Sequence, residues 1–291
     1  MIEVETSGLP VNRPEPLRLP CKLIEMRILE SQSMSIGRPD SRLKFEAERG
    51  PVGIGNRYLL IDGKRAFNLG VDCQTCSLLF ERLPGANQSV EIEETAEALR
   101  NGIGSLSETV VQTVSAGLPE GQYLALLGEA TVRLVYPKGK GDYFCEDQIA
   151  LWGEDKFWCL PHDPRIPYFR SGESNMGGSR RLFNFIVPMY PTKWITFKPF
   201  SVYEGELREN GRGTAVALSI LDVRSPADWD GDEAPDPLEH WCFTHYLIDG
   251  HHKLHAASEA GRPLSILSFV ALAQSASNPD QVQEAISFLR P

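Results

Sequence analysis

Cysteine, long apolar runs and basic charge are all scarce in this sequence. Six cysteines among 291 residues are too few for the dense disulfide framework of a small secreted domain. No run approaches the roughly twenty apolar residues of a membrane-spanning helix. The first residues, MIEVETSGLPVNRPEP, lack the basic and apolar regions of a secretory signal. We therefore expect a cytoplasmic protein with no membrane partner.

The shortage of positive charge excludes one class of partner. Lys and Arg number 29 against 39 Asp and Glu, and the net charge is −10. Sequence-independent binding to DNA or RNA needs a concentrated basic surface, so broad nucleic-acid binding is not expected. A local basic pocket is compatible with this balance.

The composition that remains is typical of folded domains. Hydrophobic residues make up 42% and aromatic residues 9% of the chain, enough for two ordinary cores or one large one. The best linker is the Pro/Gly/Lys-rich segment 137–141. We predict an α+β fold with a mixed sheet, divided into an N-terminal mixed α/β region, residues 1–140, and a second domain, residues 141–291.

Turn and cap residues predict several elements. Asp62-Gly63 indicates a hairpin over Arg57 to Leu69. Asn278, Pro279 and Gln281 predict a capped helix over 279–289. Further helices are expected over 77–83, over 91–100 and after a Ser105-x-x-Glu108 capping box. Strands are expected at 21–29, 122–136, 181–187, 194–203 and 215–223.

The stretch 241–270 predicts the order strand, helix, strand. The run Cys242 to Ile248 is aromatic, β-branched and aliphatic, and it stops at Asp249-Gly250. A helix over 250–260 is indicated by helical spacing of small and apolar residues and by the stop at Gly261. The run 264–272 indicates the returning strand. The helix follows the strand at once, so its unpaired N–H groups form an anion seat.

The residues of this helix start are suited to phosphate. The seat comprises Gly250, His251 and His252, and Lys253 adds positive charge. His255 lies four residues after His251 and shares its helical face, where the pair could bind phosphate or a metal or be polar surface. Histidines that only cap a turn are the alternative interpretation.

Asp249-Gly250-His251-His252-Lys253, together with Ala256, Ala257 and Gly261, resembles the ParB/sulfiredoxin-like fold family. Its Gly-His-His form is most similar to the branch with ADP- or ATP-dependent free-serine kinases, with Lys253 where the family usually has arginine. The resemblance implies a ParB/sulfiredoxin-like domain over 141–291 that holds nucleotide phosphates at the helix start. It also implies phosphotransferase activity on a small-molecule substrate, with ATP or ADP and magnesium as cofactors.

Phosphoryl transfer needs a magnesium ion, a carboxylate that orients the nucleophile, and positive charge. We assign the catalytic roles to Asp249, His252 and Asp222. The spacing of the residues does not exclude other carboxylates from these roles. It also does not decide which of two arginines supplies the positive charge. The other carboxylates are Asp228, Asp230 and Asp232, and the arginines are Arg224 and Arg262.

Two short chelate pairs predict a metal site. Cys73-x-x-Cys76 and Cys159-x-x-His162 each allow two side chains from one turn to reach a single ion, and together they complete a Cys₃His zinc site. Cys145 could replace a member of the second pair. A redox dithiol at Cys73 and Cys76, or ordinary buried thiols, are the alternatives.

Two functions follow from these patterns. The first is a nucleotide- or phosphate-binding protein that acts as a small-molecule phosphotransferase. The second is a non-catalytic, zinc-supported interaction or regulatory module with a protein partner.

Overall fold

The computed structural model describes residues 26–48, 55–88, 90, 93–191, 213–227 and 238–291. Within them the protein is α+β, with a nine-stranded mixed sheet, a four-stranded antiparallel sheet and five α-helices. The prediction of an α+β fold with a mixed sheet is confirmed. No helix in the described ranges is long and apolar enough to cross a membrane.

The strands of the large sheet come from both halves of the chain. They are β1 (Met26–Ile36), β6 (Gly121–Ala130), β7 (Arg133–Val135), β8 (Tyr168–Arg170), β9 (Ser174–Gly177), β10 (Arg180–Val187), β11 (Thr214–Arg224), β12 (Glu239–Asp249) and β13 (Leu264–Ala271). Their order is β1-β6-β13-β11-β12-β10-β8-β7, and β9 pairs with β10. The pairs β10–β12 and β11–β13 are parallel and the others antiparallel. Strands on both sides of the expected boundary at residue 140 thus share one sheet.

The small sheet and the helices cover the large sheet. The small sheet has the order β2 (Leu43–Ala47), β3 (Asn56–Ile61), β4 (Lys64–Val71) and β5 (Glu81–Arg82). The helices are α1 (Ala96–Asn101), α2 (Thr109–Ser115), α3 (Asp147–Trp152), α4 (His251–Ala260) and α5 (Pro279–Leu289). One face of the large sheet packs against the small sheet, α1 and α2, and the other face packs against α4 and α5.

Burial on both faces explains the sequence of β11. All of its residues are buried, and alternate side chains enter the two opposite cores, Val216 and Leu218 on one side and Ala217 and Leu221 on the other. A strand covered on both faces needs a nearly continuous apolar sequence, and TAVALSIL meets that need. Asp222 and Arg224 interrupt it.

Local turn and cap chemistry is confirmed in two places. Asp62 and Gly63 have φ values of 50° and 74°, the positive values that a two-residue hairpin turn between β3 and β4 needs. At α5, Asn278 Oδ1 accepts from the Gln281 N–H at 2.9 Å, and Gln281 Oε1 accepts from the Asn278 N–H at 2.9 Å. This capping box begins α5 at Pro279, as predicted.

The predicted order of strand, helix and strand over 241–270 is also confirmed. It is formed by β12, α4 and β13. However, β11 lies between β12 and β13 in the sheet, antiparallel to the first and parallel to the second. α4 therefore connects two strands that are not neighbours.

Two helix predictions need correction, and others lie outside the described residues. The segment 77–83 is not helical: residues 77–80 have no regular secondary structure, Leu78 and Phe80 are buried in the core, and Glu81–Arg82 form β5, which pairs with β4. The N-cap of α2 is Glu108, not Ser105, and its carboxylate accepts from the N–H groups of Gly104 and Ser105. The strand expected at 194–203 and the carboxylates Asp228, Asp230 and Asp232 lie outside the described ranges.

Candidate functional site

The turn into α4 depends on a glycine. Gly250 has φ 88°, a left-handed conformation that costs other residues free energy. A Cβ at this position would also stand 2.8 Å from both Cα and Cβ of Ala215 on β11. The helix start is therefore packed tightly against the beginning of β11.

His251 is buried at this helix start and bonded to the backbone. Its side chain is 3% exposed, its Nε2 accepts from the Met189 N–H at 2.9 Å, and its ring stacks on Tyr190 with centroids 4.5 Å apart. Burial, and then the charges of His252 and Arg82, lower the pKa of His251 to about 3. A neutral acceptor of this kind stabilises the backbone rather than attracting an anion.

Lys253 likewise bonds to the protein. Its Nζ donates to the carbonyl oxygens of Leu99 and Thr214, both at 3.0 Å, and lies 4.0 Å from Oδ2 of Asp249. Thr214 also accepts at Oγ1 from the Ile103 N–H at 2.9 Å. The lysine therefore connects the end of α1 to the first residue of β11.

The remaining residues of the expected seat differ in exposure. His255 is buried, with its ring centroid 6.4 Å from that of Phe169. Asp249 and His252 are partly exposed. Asp249, His252 and Lys253 are thus the members of the expected phosphate site that retain access to solvent.

A cavity lies beside the C-terminal end of β12. Its volume is about 390 Å³, within the range of small-molecule sites. The loop between β1 and β2 and the end of α2 form most of its wall. The lining residues are Arg38, Pro39, Asp40, Ser41, Arg42, Leu43, Val90, Val114, Ala116, Gly117, Leu118 and Ile248.

An exposed ion pair stands at the cavity. Arg42 makes two hydrogen bonds to Asp62, at 2.9 and 2.7 Å, and both side chains are substantially exposed. The hydrogen bond to Asp62 is the main cause that raises the pKa of Arg42. Ile248 of the cavity wall precedes Gly250 by two residues, so the cavity and the start of α4 lie at the same end of β12.

Asp222 lies far from the start of α4. Asp249 pairs with Val216 across β11 and β12, and Asp222 is six residues further along β11, a separation of roughly 20 Å in an extended strand. Asp222 is fully buried between Arg57 and Arg224. The structure does not bring it together with Asp249 and His252.

The Cys73-x-x-Cys76 loop lies at that opposite end of the sheet. Cys73 and Cys76 form a disulfide. The Arg224 guanidinium donates to the carbonyl oxygens of both cysteines, and the Ser225 N–H donates to the Gln74 carbonyl at 3.0 Å. The end of β11 therefore holds this loop in place.

The segment that contains Cys159 and His162 lies close to the segment that follows Cys76. Ser77 Oγ lies 3.2 Å from His162 Nε2, and Gln148 links the same two segments by donating to the Leu78 carbonyl at 2.7 Å and accepting from the His162 N–H at 3.3 Å. Cys159 is exposed on the turn before His162.

The expected zinc ligands do not form a cluster in the described part of the chain. No group of three or more His, Cys, Asp or Glu residues there is arranged to hold a metal, and Cys73 and Cys76 are bonded to each other. The possible substitute, Cys145, is a free thiol, and burial followed by a hydrogen bond to Asp142 raises its pKa to about 11.

Sequence reasoning missed the cavity and the role of Arg57. No motif marks the loop 38–42 or predicts that it meets Ile248. A signal did exist for the ion network, because Asp222 and Arg224 stand at the end of an otherwise apolar strand, where buried charges need partners.

Comparison of the chain with protein-family models, with curated proteins and with solved structures found no match in any of the three.

Proposed function

We propose that the protein binds a phosphate-bearing small molecule of nucleotide size in the cavity at the C-terminal end of β12. The observation that carries this proposal is the presence of Arg38 and Arg42 at a cavity whose wall, apart from Asp40 and Ser41, is otherwise apolar. Guanidinium groups bind phosphate oxygens through paired hydrogen bonds. The apolar side chains of Val114, Leu118 and Ile248 offer a surface for a base or another flat group.

A ligand anion can compete with Asp62 for Arg42, because their ion pair is weak. Both partners are exposed, and exposed pairs contribute about 0–1 kcal/mol. Arg38 is exposed as well. A ligand phosphate with two negative charges can therefore attract both arginines with little loss of protein stability.

The resemblance to ParB/sulfiredoxin-like proteins supports the same ligand class. The residues at the start of α4 have different roles from those that the resemblance implies. His251 and Lys253 position the helix start through protein contacts, whereas the partly exposed Asp249 and His252 face the solvent beside it. Phosphoryl transfer from ATP or ADP with magnesium to a small molecule is a further step, with Asp249 and His252 as its catalytic groups. The alternative of a zinc-supported interaction module has less support, because Cys73 and Cys76 are bonded to each other.

A ligand-dependent melting experiment tests the binding proposal. ATP, ADP, CTP and inorganic phosphate are added separately, with and without magnesium, and the melting temperature of the full chain is measured. A ligand at a hundred times its Kd stabilises the native state by about 2.7 kcal/mol. We expect such stabilisation by at least one nucleotide.

Matched variants locate the site. Arg38→Ala and Arg42→Ala should abolish the ligand-induced shift. Arg65→Ala should retain it, because Arg65 on β4 forms a comparable exposed pair with Glu46 on β2 but does not line the cavity. Lys253→Met should lower the melting temperature without ligand, since it removes the donor to two backbone carbonyls. Absence of any nucleotide shift, or an unchanged shift in Arg42→Ala, would refute the proposal.

A further inference from the structure

The disulfide at Cys73 and Cys76 lies where solvent can reach its loop. Both cysteines are half-buried, and Gln74 and Thr75 between them are exposed. Solvent therefore reaches the tip of the loop that the disulfide closes. Accessibility of this kind separates reactive disulfides from inert structural ones.

The protein holds this loop by contacts that do not involve the sulfur atoms. Arg224 donates to the carbonyl oxygens of Cys73, Cys76 and Val71. The Ser225 N–H donates to the Gln74 carbonyl, and the Cys76 N–H donates to the Cys73 carbonyl. When the bond opens, the two thiols therefore stay close enough to reform it.

Arg224, which holds the loop, is itself held in place by a buried ion pair. It is fully buried and paired with Asp222, which also binds Arg57. The support of the loop is thus an ion network that joins β3 to β11 and does not depend on the disulfide.

The disulfide also stabilises the chain less than a bridge between distant residues would. It joins residues with a sequence separation of 3, and the loop entropy that a disulfide removes from the unfolded chain is smallest for the shortest loops. A bridge of this size in a preformed loop is better suited to opening and closing than to stabilising the fold.

From these observations we propose that Cys73 and Cys76 form a reversible thiol–disulfide redox site. In reduction, one thiolate of a dithiol reagent attacks one of the two sulfur atoms, forms a mixed disulfide and releases the other cysteine. The second thiol of the reagent then displaces the first cysteine. The reagent leaves as its own disulfide, and its two protons and two electrons remain on Cys73 and Cys76.

Oxidation by hydrogen peroxide completes the cycle. One thiolate attacks a peroxide oxygen, which gives a sulfenic acid and, with a proton, water. The second thiol attacks the sulfenic sulfur, the disulfide forms, and a second water leaves. The net reaction converts two thiols and one hydrogen peroxide into one disulfide and two waters.

The test measures thiols in the folded protein. The full chain is equilibrated in mixtures of reduced and oxidised dithiothreitol, quenched with acid, alkylated and analysed by mass spectrometry after proteolysis. We expect Cys73 and Cys76 to become alkylated together, with a two-electron dependence on the mixture, while circular dichroism stays unchanged. Hydrogen peroxide should restore the disulfide.

Two variants supply controls. Cys159→Ser should leave the transition at Cys73 and Cys76 unchanged, because Cys159 takes no part in the bond. The double variant Cys73→Ser/Cys76→Ser should remain folded, with a melting temperature close to that of the reduced protein.

Three results would overturn the proposal. The first is a bond that opens only together with global unfolding. The second is a double variant that fails to fold, which would make the bridge structural. The third is one zinc ion per chain, lost in the double variant, with both cysteines unoxidised by peroxide, which would identify a metal site. None of these results depends on whether the cavity binds a nucleotide.

Discussion

Arg57 on β3 and Asp222 on β11 form a two-point ion pair inside the protein. Nη2 of Arg57 lies 2.7 Å from Oδ2 of Asp222, and Nη1 lies 3.1 Å from Oδ1. The side chains are 4% and 0% exposed. Burial raises the pKa of Asp222, but the charges of Arg224 and Arg57 outweigh it and hold that pKa well below its usual value. The carboxylate therefore stays ionised and joins the two sheets.

Replacing this carboxylate should destabilise the protein strongly. Asp222→Asn keeps the shape but leaves the charges of Arg57 and Arg224 without a counter-charge, and breaking a buried pair costs about 3–5 kcal/mol. Urea unfolding followed by circular dichroism measures the loss. Asp62→Asn is the matched control, because Asp62 makes a similar two-point pair with the exposed Arg42, and its loss should be below about 1 kcal/mol. Equal losses in the two variants would contradict the role assigned to Asp222.

Buried histidines should make the stability depend on pH. Burial is the main cause that lowers the pKa of His240, His245 and His251 to about 3 each, from an ordinary value of 6.5. Below about pH 6.5 the unfolded chain takes up protons at these positions, while the folded protein does not until about pH 3. The free energy of unfolding should therefore fall as the pH drops through this window, by up to about 1.4 kcal/mol per pH unit for each histidine.

A single variant isolates the contribution of His251. Gln in place of His251 offers an amide oxygen to the Met189 N–H but does not titrate. We expect urea unfolding of His251→Gln between pH 7 and pH 4 to show a smaller slope, by about one proton. A slope equal to that of the unmodified protein would show that His251 is accessible to protons in the folded state.

The turn at Gly250 should tolerate no side chain. Gly250→Ala must adopt a left-handed conformation, which costs about 1–2 kcal/mol, and must also displace Ala215, where overpacking costs about 1–3 kcal/mol more. Gly261→Ala is the control, because Gly261 has φ 59° but open space around it. Chemical denaturation should show a clearly larger loss for Gly250→Ala. Similar losses would mean that β11 moves aside without penalty.

The parts of the fold that depend on neighbouring residues could be predicted from the sequence. The hairpin turn at Asp62-Gly63 and the capping box of Asn278 and Gln281 are local, because each residue's partner lies within a few positions. The same applies to the helix start after Asp249. At these three places the order of residues is enough to predict the local structure, whereas the capping box expected at Ser105 was wrong.

The roles of Lys253 and Asp222 could not be predicted in this way. Lys253 bonds to a carbonyl 154 residues away, and Asp222 bonds to an arginine 165 residues away. Both residues have the chemistry of a phosphate site, and only the long-range contacts show that they connect elements of the fold. The error over 77–83 has the same origin, since β4 recruits Glu81 and Arg82 as a partner strand.

The position of β13 has a consequence for synthesis on the ribosome. In the described sheet, β13 is the strand that joins β1 and β6 to β11 and the strands beyond it. β1 and β6 can pair early, but they remain separate from the later strands until residue 271 has been translated. The nascent chain therefore exposes one unpaired edge of β6 from residue 130 onward, and one of β11 from residue 224 onward, until β13 has been made. A chaperone that shields such edges would increase the yield of folded protein.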